Sequence, residues 1–311
     1  DINQKPPLKK NLVYAFQQLL AIMAATLLVP VLADSTGLYL NQPAALFGAG
    51  MGTLFYIFIA TRKKSPVFLG SSFAFISPLA GACAYGFLGI FVGSLFAGLV
   101  YVLIALIVKK TGTAWVTKLL PPVVIGPTVA LIGLSLCGSA VNNLNNTAAG
   151  SYNLVAILVG LVAFFITVFA SVKGTQSMKM VPFIIGILGA YVIALILTFI
   201  GRASGCETLQ LVNLAAFDNV QLFKLPRFTF LGMFGAYKDA TNTIGSASDV
   251  LSLFVLFAPV AFVTLAEHIA DHENLSSIIG HDLITDPGLD RTLLGDGAGS
   301  IVGALFGGCP N

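Results

Sequence analysis

Long runs of uncharged, apolar residues constrain the fold of this chain more than any other feature. One run covers residues 250–266 without a charge, and the whole chain is 57% hydrophobic and only 9% charged. A bilayer core offers no water to unpaired backbone groups, so a segment that crosses it must be a helix or part of a closed barrel. Runs near 20 residues have the length of a membrane-spanning helix. The sequence therefore predicts an all-α integral membrane protein.

Nine segments have the length and hydropathy expected of spans. They lie near residues 12–33, 44–61, 67–83, 87–108, 121–140, 153–172, 181–201, 250–270 and 291–308. The third is short and interrupted by glycine, serine and proline, and residues 305–311 show a similar succession. Such interrupted segments in corresponding halves indicate an inverted-repeat transporter with broken helices. A tenth span would begin at Cys309, so we expect the chain to be the front part of a longer protein.

The distribution of Lys and Arg predicts how these spans are oriented. Twelve basic residues fall on one side: Lys5, Lys9, Lys10, Arg62, Lys63, Lys64, Lys109, Lys110, Lys118, Lys173, Lys179 and Arg291. Four fall on the other side: Arg202, Lys224, Arg227 and Lys238. By the positive-inside rule the N-terminus is cytoplasmic, and residues 202–249 lie outside, with short interfacial helices. A net charge of +3 without a basic patch argues against a nucleic-acid partner.

Glu267 and Asp271 close the uncharged run and stand four residues apart. This spacing places both carboxylates on one helical face, with Cβ atoms about 5–6 Å apart. A carboxylate near the bilayer interior costs at least ~2.5–3.5 kcal/mol and usually faces a protein interior or a water-filled cavity. The pair is either a charged helix end at the membrane interface or a polar substrate or proton site inside a transporter.

The remaining reactive side chains do not form an enzyme or metal motif. The four cysteines lack ligand spacing, and His268 and His272 lie outside any HExxH arrangement. We therefore expect no catalysis, no metal and no cofactor, and a solvated or structural role for both histidines.

A glycine stripe marks the ninth predicted span. Gly295, Gly299, Gly303 and Gly307 recur every four residues, a spacing that lets two helix backbones approach closely. This pattern predicts helix packing rather than chemistry. Asp296, beside the first of these glycines, is interpreted as a helix-start or interface residue.

Five segments together resemble the nucleobase–ascorbate transporter family, also called nucleobase:cation symporter 2, in particular its bacterial uracil permeases. They read FQQLLAIMAATLLVPVL (16–32), GSSFAFISP (70–78), PPVVIGPTVALIGLSL (121–136), LAEHIADH (265–272) and DPGLDRTLLGDGAGSIVGALFGGCPN (286–311). The resemblance implies fourteen helices in two inverted repeats of seven, with short extended strands in broken spans three and ten. It assigns residues 1–120 and 250–311 to a core domain and residues 121–249 to a gate domain. It also places the family's span-ten motif just beyond Asn311.

The resemblance also implies roles for individual residues. Glu267 accepts hydrogen bonds from ring N–H groups of a uracil-like base, Phe73 lies beside the base, and Ser72 belongs to the same substrate site. Asp271 takes part, with Glu267, in proton coupling. The family often carries Gln-His in span one, where this chain has Gln17-Gln18. Glutamine cannot titrate near neutral pH, which leaves Gln18 a hydrogen-bonding role only.

The function implied is proton-coupled symport of uracil by alternating access in the inner membrane. The expected partners are uracil or a related nucleobase, the proton, membrane lipid and a second copy in a homodimer. A xanthine or purine transporter of the same family is the main alternative. An anion transporter of the same seven-plus-seven fold is another, against which the carboxylate of Glu267 argues.

Overall fold

The computed structural model describes residues 7–34, 36–145, 153–175, 178–179, 181–214 and 225–311. Helix is the only regular secondary structure within these ranges, which confirms the prediction of an all-helical chain. The helices are α1 (Leu8–Ala33), α2 (Gln42–Phe55), α3 (Ile76–Cys83), α4 (Gly86–Thr111), α5 (Ala114–Leu119), α6 (Pro122–Ser135), α7 (Cys137–Asn145), α8 (Leu154–Val172), α9 (Pro182–Ser204), α10 (Thr229–Met233), α11 (Ala247–Ile279) and α12 (Leu289–Leu305). A π turn, Tyr56–Ala60, extends α2, and a second, Ile284–Gly288, precedes α12; 3₁₀ turns cover Phe73–Phe75 and Glu207–Leu209.

Seven helical stretches among the described residues are long and apolar enough to cross a membrane. They are Leu8–Ala33, Gln42–Ala60, Gly86–Thr111, Val123–Leu144, Leu154–Val172, Pro182–Ser204 and Ala247–Ile279. Each coincides with one of the nine predicted spans, and the two remaining spans differ from the prediction. The ninth is α12, a helix of 17 residues that carries charged side chains. The third is helical only from Phe73 onwards.

The third predicted span is a broken segment. Residues 65–72 form no helix, and the chain turns helical only at Phe73. The strand predicted here is not formed. Ser72 has extended dihedral angles (φ −77°, ψ 135°), and its backbone N–H donates to the carbonyl of Pro310 at 3.0 Å. One such bond does not make a ladder, which needs repeated pairing along two chains.

The chain divides into two compact units. The first contains residues 25–132 and 226–311, and the second contains residues 6–24 and 133–225. The predicted core domain (residues 1–120 and 250–311) and gate domain (residues 121–249) have different boundaries from these two units, and that division stays a prediction. Two of the basic residues used for orientation, Lys5 and Lys224, lie outside the described residues, as does part of the predicted outer segment.

The glycine stripe of α12 packs against α2 in the first unit, as predicted. A Cβ atom on Gly299 would lie 3.0 Å from the carbonyl oxygen of Gly52, and one on Gly303 would lie 2.9 Å from that of Gly48. Side chains at these positions would therefore hold the two backbones apart. This close approach brings the polar residues of α12 into the interior of the unit.

Asp34 organises the loop between α1 and α2. Its Oδ1 accepts the backbone N–H of Thr36 at 3.0 Å, and its Oδ2 accepts those of Tyr39 at 2.8 Å and Leu40 at 3.0 Å. Burial raises the pKa of this carboxyl, but the hydrogen bonds outweigh burial and hold the pKa below its usual value. The ionised carboxylate thus fixes the path of the chain between two spans.

Candidate functional site

Ser72 joins the broken segment to the predicted carboxylate on α11. Its hydroxyl donates to Oε2 of Glu267 at 3.3 Å and accepts the backbone N–H of Ala74 at 3.3 Å. Because its own N–H donates to Pro310, the same residue also holds the segment that ends at Asn311. Glu267 is half-buried, and Oε1 accepts no hydrogen bond from the described residues. One carboxylate oxygen is therefore left for another donor.

Phe73 directly follows Ser72 and begins the short helix. Its ring is partly buried and packs against the hydrophobic core of the first unit. The first N–H groups of a helix have no partner inside that helix. The N–H groups of Ala74 and Phe75 both donate to Ser72, whereas the N–H of Phe73 donates to no residue in the described part of the chain. The broken segment therefore presents an aromatic ring and one backbone donor next to the residue that contacts Glu267.

Asp271 lies one turn beyond Glu267 on the same face of α11. Four residues of helix place it about 6 Å further along the axis. Its side chain is exposed, and within the part of the chain that the structure describes it accepts no hydrogen bond. Glu267 is thus held by a neighbour, whereas Asp271 is open to the surroundings.

His268 is buried, so of the two roles expected for it the structural one is confirmed and the solvated one is wrong. Its Nδ1 lies 2.7 Å from Oδ2 of Asp296, and its Nε2 lies 3.2 Å from Oγ1 of Thr292. Asp296 is only 1% exposed and stands in the middle of α12, so its interpretation as a helix-start or interface residue is also wrong. The glycine stripe lets α12 approach closely enough to bring this carboxylate inside the unit.

Asp296 also holds the last described residue. The amide Nδ2 of Asn311 donates to Oδ1 of Asp296 at 3.0 Å, and the backbone N–H of Asn311 donates to Oγ of Ser300 at 3.2 Å. The two carboxylate oxygens therefore serve different elements, since Oδ2 faces α11 and Oδ1 faces the irregular segment after α12. Together with Ser72, this arrangement fixes residues 310–311 beside the broken segment.

His272 continues the polar interior. Its Nδ1 lies 2.8 Å from the backbone carbonyl of His268, and its ring stacks on that of His268 with centroids 4.1 Å apart. A carbonyl only accepts, so Nδ1 donates to it, and in the neutral ring Nε2 then accepts from the Tyr56 hydroxyl at 2.9 Å. The Tyr56 oxygen in turn lies 2.8 Å from Oγ of Ser65. His272 is thus a buried structural residue and not a solvated one.

Gln18 belongs to the second unit, where its side chain on α1 is exposed. Its part in the site stays a prediction. Four further partners in the polar interior were not predicted from the sequence: Tyr56, Ser65, Asp296 and Asn311. For Asp296 a signal was present, because the same cost of a charge within an apolar span that singled out Glu267 applies to it.

No group of three or more His, Cys, Asp or Glu side chains among the described residues is arranged to hold a metal ion. The first unit instead combines spanning helices, a broken segment and buried polar side chains. Such features define the class of multi-pass membrane proteins with a polar site at membrane depth.

Comparison with known proteins names the family. A family model described as "Permease family" matches residues 9–311, and the chain belongs to this family. It is 38% identical over 311 residues to a uracil permease of Bacillus caldolyticus, with 100% of this chain and 66% of the relative covered. A uracil permease of Bacillus subtilis (strain 168) is 37% identical over 302 residues, with 96% and 63% covered. One of Escherichia coli (strain K12) is 30% identical over 312 residues, with 100% and 65% covered.

The resemblance drawn from the sequence motifs is therefore confirmed. The chain spans about two thirds of the length of these curated relatives, between 63% and 66%.

Proposed function

We propose that this chain forms part of a nucleobase permease that carries uracil, or a closely related pyrimidine, across the cytoplasmic membrane. The hydrogen bond between Ser72 and Glu267 carries the proposal, because it joins an acceptor carboxylate to a broken segment with an aromatic ring. The relatives that match this chain are named uracil permeases, which supports the same substrate class.

The chemistry of the base fits this set of groups. A uracil ring offers two N–H donors beside two carbonyl oxygens, and an ionised carboxylate is an acceptor only. Oε1 of Glu267 accepts a ring N–H, while the backbone N–H of Phe73 donates to a ring carbonyl. Phe73 stacks on the base, an interaction worth about 1–3 kcal/mol. A site that hydrogen-bonds a substrate N–H rejects analogues that lack it, because its own buried group is left unpaired.

Proton coupling belongs to the acidic pair in this proposal. Glu267 binds substrate and exchanges a proton with Asp271, which is more exposed and lies one turn away. Residues 1–120 and 250–311 move as a core domain against residues 121–249, giving alternating access. The Lys and Arg distribution supports a cytoplasmic N-terminus, with Asp271 on the cytoplasmic side of Glu267.

A matched pair of glutamine substitutions tests the role of Glu267 in the full-length protein. Glu267→Gln places an NH₂ group where a ring N–H is to be accepted, which costs a charge-assisted bond worth about 1.5–3 kcal/mol. Uracil affinity by isothermal titration is expected to fall about 10- to 100-fold. Glu273→Gln is the control, because Glu273 is exposed on the same helix. Equal uracil affinities in the two variants would support the alternative interpretation of Glu267 as a charged helix end.

Asp271→Asn separates proton coupling from binding. Uracil affinity is expected to stay within about twofold of wild type, while radiolabelled uptake loses its dependence on external pH. Competition with unlabelled xanthine in the same assay tests whether the substrate is a purine and not uracil. A wild-type pH profile in Asp271→Asn would remove this residue from the proposed coupling step.

A further inference from the structure

A second polar region lies in the first unit, apart from the Ser72–Glu267 site. It is a cavity of about 420 Å³ between the end of α2 with its following turn, the end of α4, and the start of α12. Arg62, Lys109 and Arg291 line it, together with apolar side chains from the same three elements. None of the residues assigned to uracil or to the proton borders this cavity.

The charge of the cavity is unbalanced. Three cations line it against one carboxylate, Asp290, so three minus one gives a formal charge of +2. Of the carboxylates in the described part of the chain, none forms an ion pair with Arg62, Lys109 or Arg291. A cavity lined by three cations and one carboxylate, with no ion pair among them, favours an anionic ligand.

The apolar lining distinguishes this site from one for a free ion. Ile59, Leu106 and Leu294 each follow or precede a basic lining residue by three positions and are 63%, 49% and 40% exposed. Ala298 lies seven residues beyond Arg291 on α12, about 10 Å deeper along the axis. The cavity therefore has a basic end and an apolar end, which is the polarity of an amphiphile.

The position of the cavity suits a lipid. Arg62, Lys109 and Arg291 all belong to the side of the chain that the Lys and Arg distribution predicts to be cytoplasmic. Anionic phospholipids give the cytoplasmic leaflet its negative surface potential, and basic pockets between spanning helices on that side bind their head groups.

We propose that this cavity binds an anionic phospholipid from the cytoplasmic leaflet. The phosphate lies among Arg62, Lys109 and Arg291, and the acyl chains run along Ile59, Leu106 and Leu294 towards the bilayer interior. The proposal does not depend on the transported substrate, since it concerns a different set of residues.

Native mass spectrometry of the full-length protein in detergent, titrated with phosphatidylglycerol, tests the proposal. The pocket variant combines Arg62→Gln, Lys109→Gln and Arg291→Gln. The control combines Lys110→Gln, Lys118→Gln and Lys173→Gln, which removes the same charge from exposed residues outside the cavity. Each basic residue near an anionic membrane surface strengthens binding about fivefold, so the pocket variant is expected to bind about a hundredfold more weakly. The control is expected to stay within about threefold.

Further measurements keep the result decisive. Asp290→Asn raises the formal charge of the cavity and is expected to strengthen phosphatidylglycerol binding by about fivefold, even if the triple variant fails to fold. Phosphatidylcholine and inorganic phosphate are the comparison ligands, and both are expected to bind at least tenfold more weakly than phosphatidylglycerol. Equal losses in the pocket and control variants would overturn the proposal in favour of diffuse charge attraction. Equal binding of inorganic phosphate and lipid would overturn it in favour of a free-anion site.

Discussion

Helix α8 is strongly apolar but mostly exposed, whereas helix α12 is more polar but mostly buried. The span formed by α8 has a mean hydropathy of 2.8, the highest among the candidate spans, yet only 6% of it is buried. Helix α12 is too short and too polar to count among those spans, yet ten of its 17 residues are buried. Leucine gains little by leaving lipid for protein, because lipid tails are equally apolar. In this chain, small and polar residues therefore decide which helix faces protein.

Removal of the buried carboxylate of α12 is expected to have the largest effect on stability. Asp296→Ala leaves His268 and Asn311 without their acceptor, and loss of one partner from a buried pair costs about 3–5 kcal/mol. Thermal unfolding in detergent measures the loss. The control is Glu273→Ala, an exposed acid on α11 that should stay within about 0.5 kcal/mol of wild type. Similar unfolding temperatures for the two variants would mean that the polar interior does not hold α12.

A pair of glycines on α2 tests the backbone contact with α12. A Cβ atom on Gly48 would meet the backbone of Gly308 and would lie 2.5 Å from the carbonyl oxygen of Gly303, whereas one on Gly50 would meet nothing within 4 Å. Gly48→Ala should therefore cost about 1–3 kcal/mol through overpacking. Gly50→Ala should be neutral or stabilise by up to about 1 kcal/mol, since alanine favours helix. Unfolding of the two variants under identical conditions compares them, and equal stabilities would refute a tight α2–α12 contact.

Asp34 lies outside the spans, and its contribution to stability is expected to depend on pH. Its folded-state pKa lies below the usual 3.8, so its stabilisation is present above that value and is lost as pH falls through the folded-state pKa. Asp34→Asn should cost on the order of 1 kcal/mol near pH 6. The difference in stability between Asp34→Asn and wild type should narrow as pH falls below about 4. Unfolding temperatures measured from pH 6 downwards check this, and a gap that widens at low pH would contradict the sign.

The smallest effect is expected on α8. Phe169 is 61% exposed, and Phe169→Leu exchanges one lipid-compatible side chain for another, so stability should change by no more than about 0.5 kcal/mol. Its counterpart on α11 is Phe257, which is fully buried and stacks on Phe75 with ring centroids 5.9 Å apart. Phe257→Leu should cost roughly 1 kcal/mol by the same measurement. A larger loss at Phe169 than at Phe257 would break the contrast between the two helices.

Local patterns predicted the parts of this molecule that depend on local physics. Uncharged runs located seven helical stretches, because backbone groups in a bilayer must pair within their own helix. The four-residue glycine stripe from Gly295 predicted close packing, and interruption by Gly, Ser and Pro identified the broken segment before Phe73. The strand that the family resemblance implied there is not formed, since pairing depends on a distant partner. Ser72 makes only one backbone–backbone hydrogen bond to a distant described residue, Pro310.

The polar interior could not be predicted in this way. His268 meets Asp296 across 28 residues, Ser72 meets Glu267 across 195, and Tyr56 meets His272 across 216. The sequence by itself determined that the chain is helical, belongs in a membrane and carries acids where acids are costly. Only the tertiary structure decided which of those acids is enclosed. Asp296 is buried because glycines let α12 approach α2, whereas Asp271 stays exposed on the same helix as Glu267. Hydropathy depends on the residue alone, but burial depends on the neighbours that folding supplies.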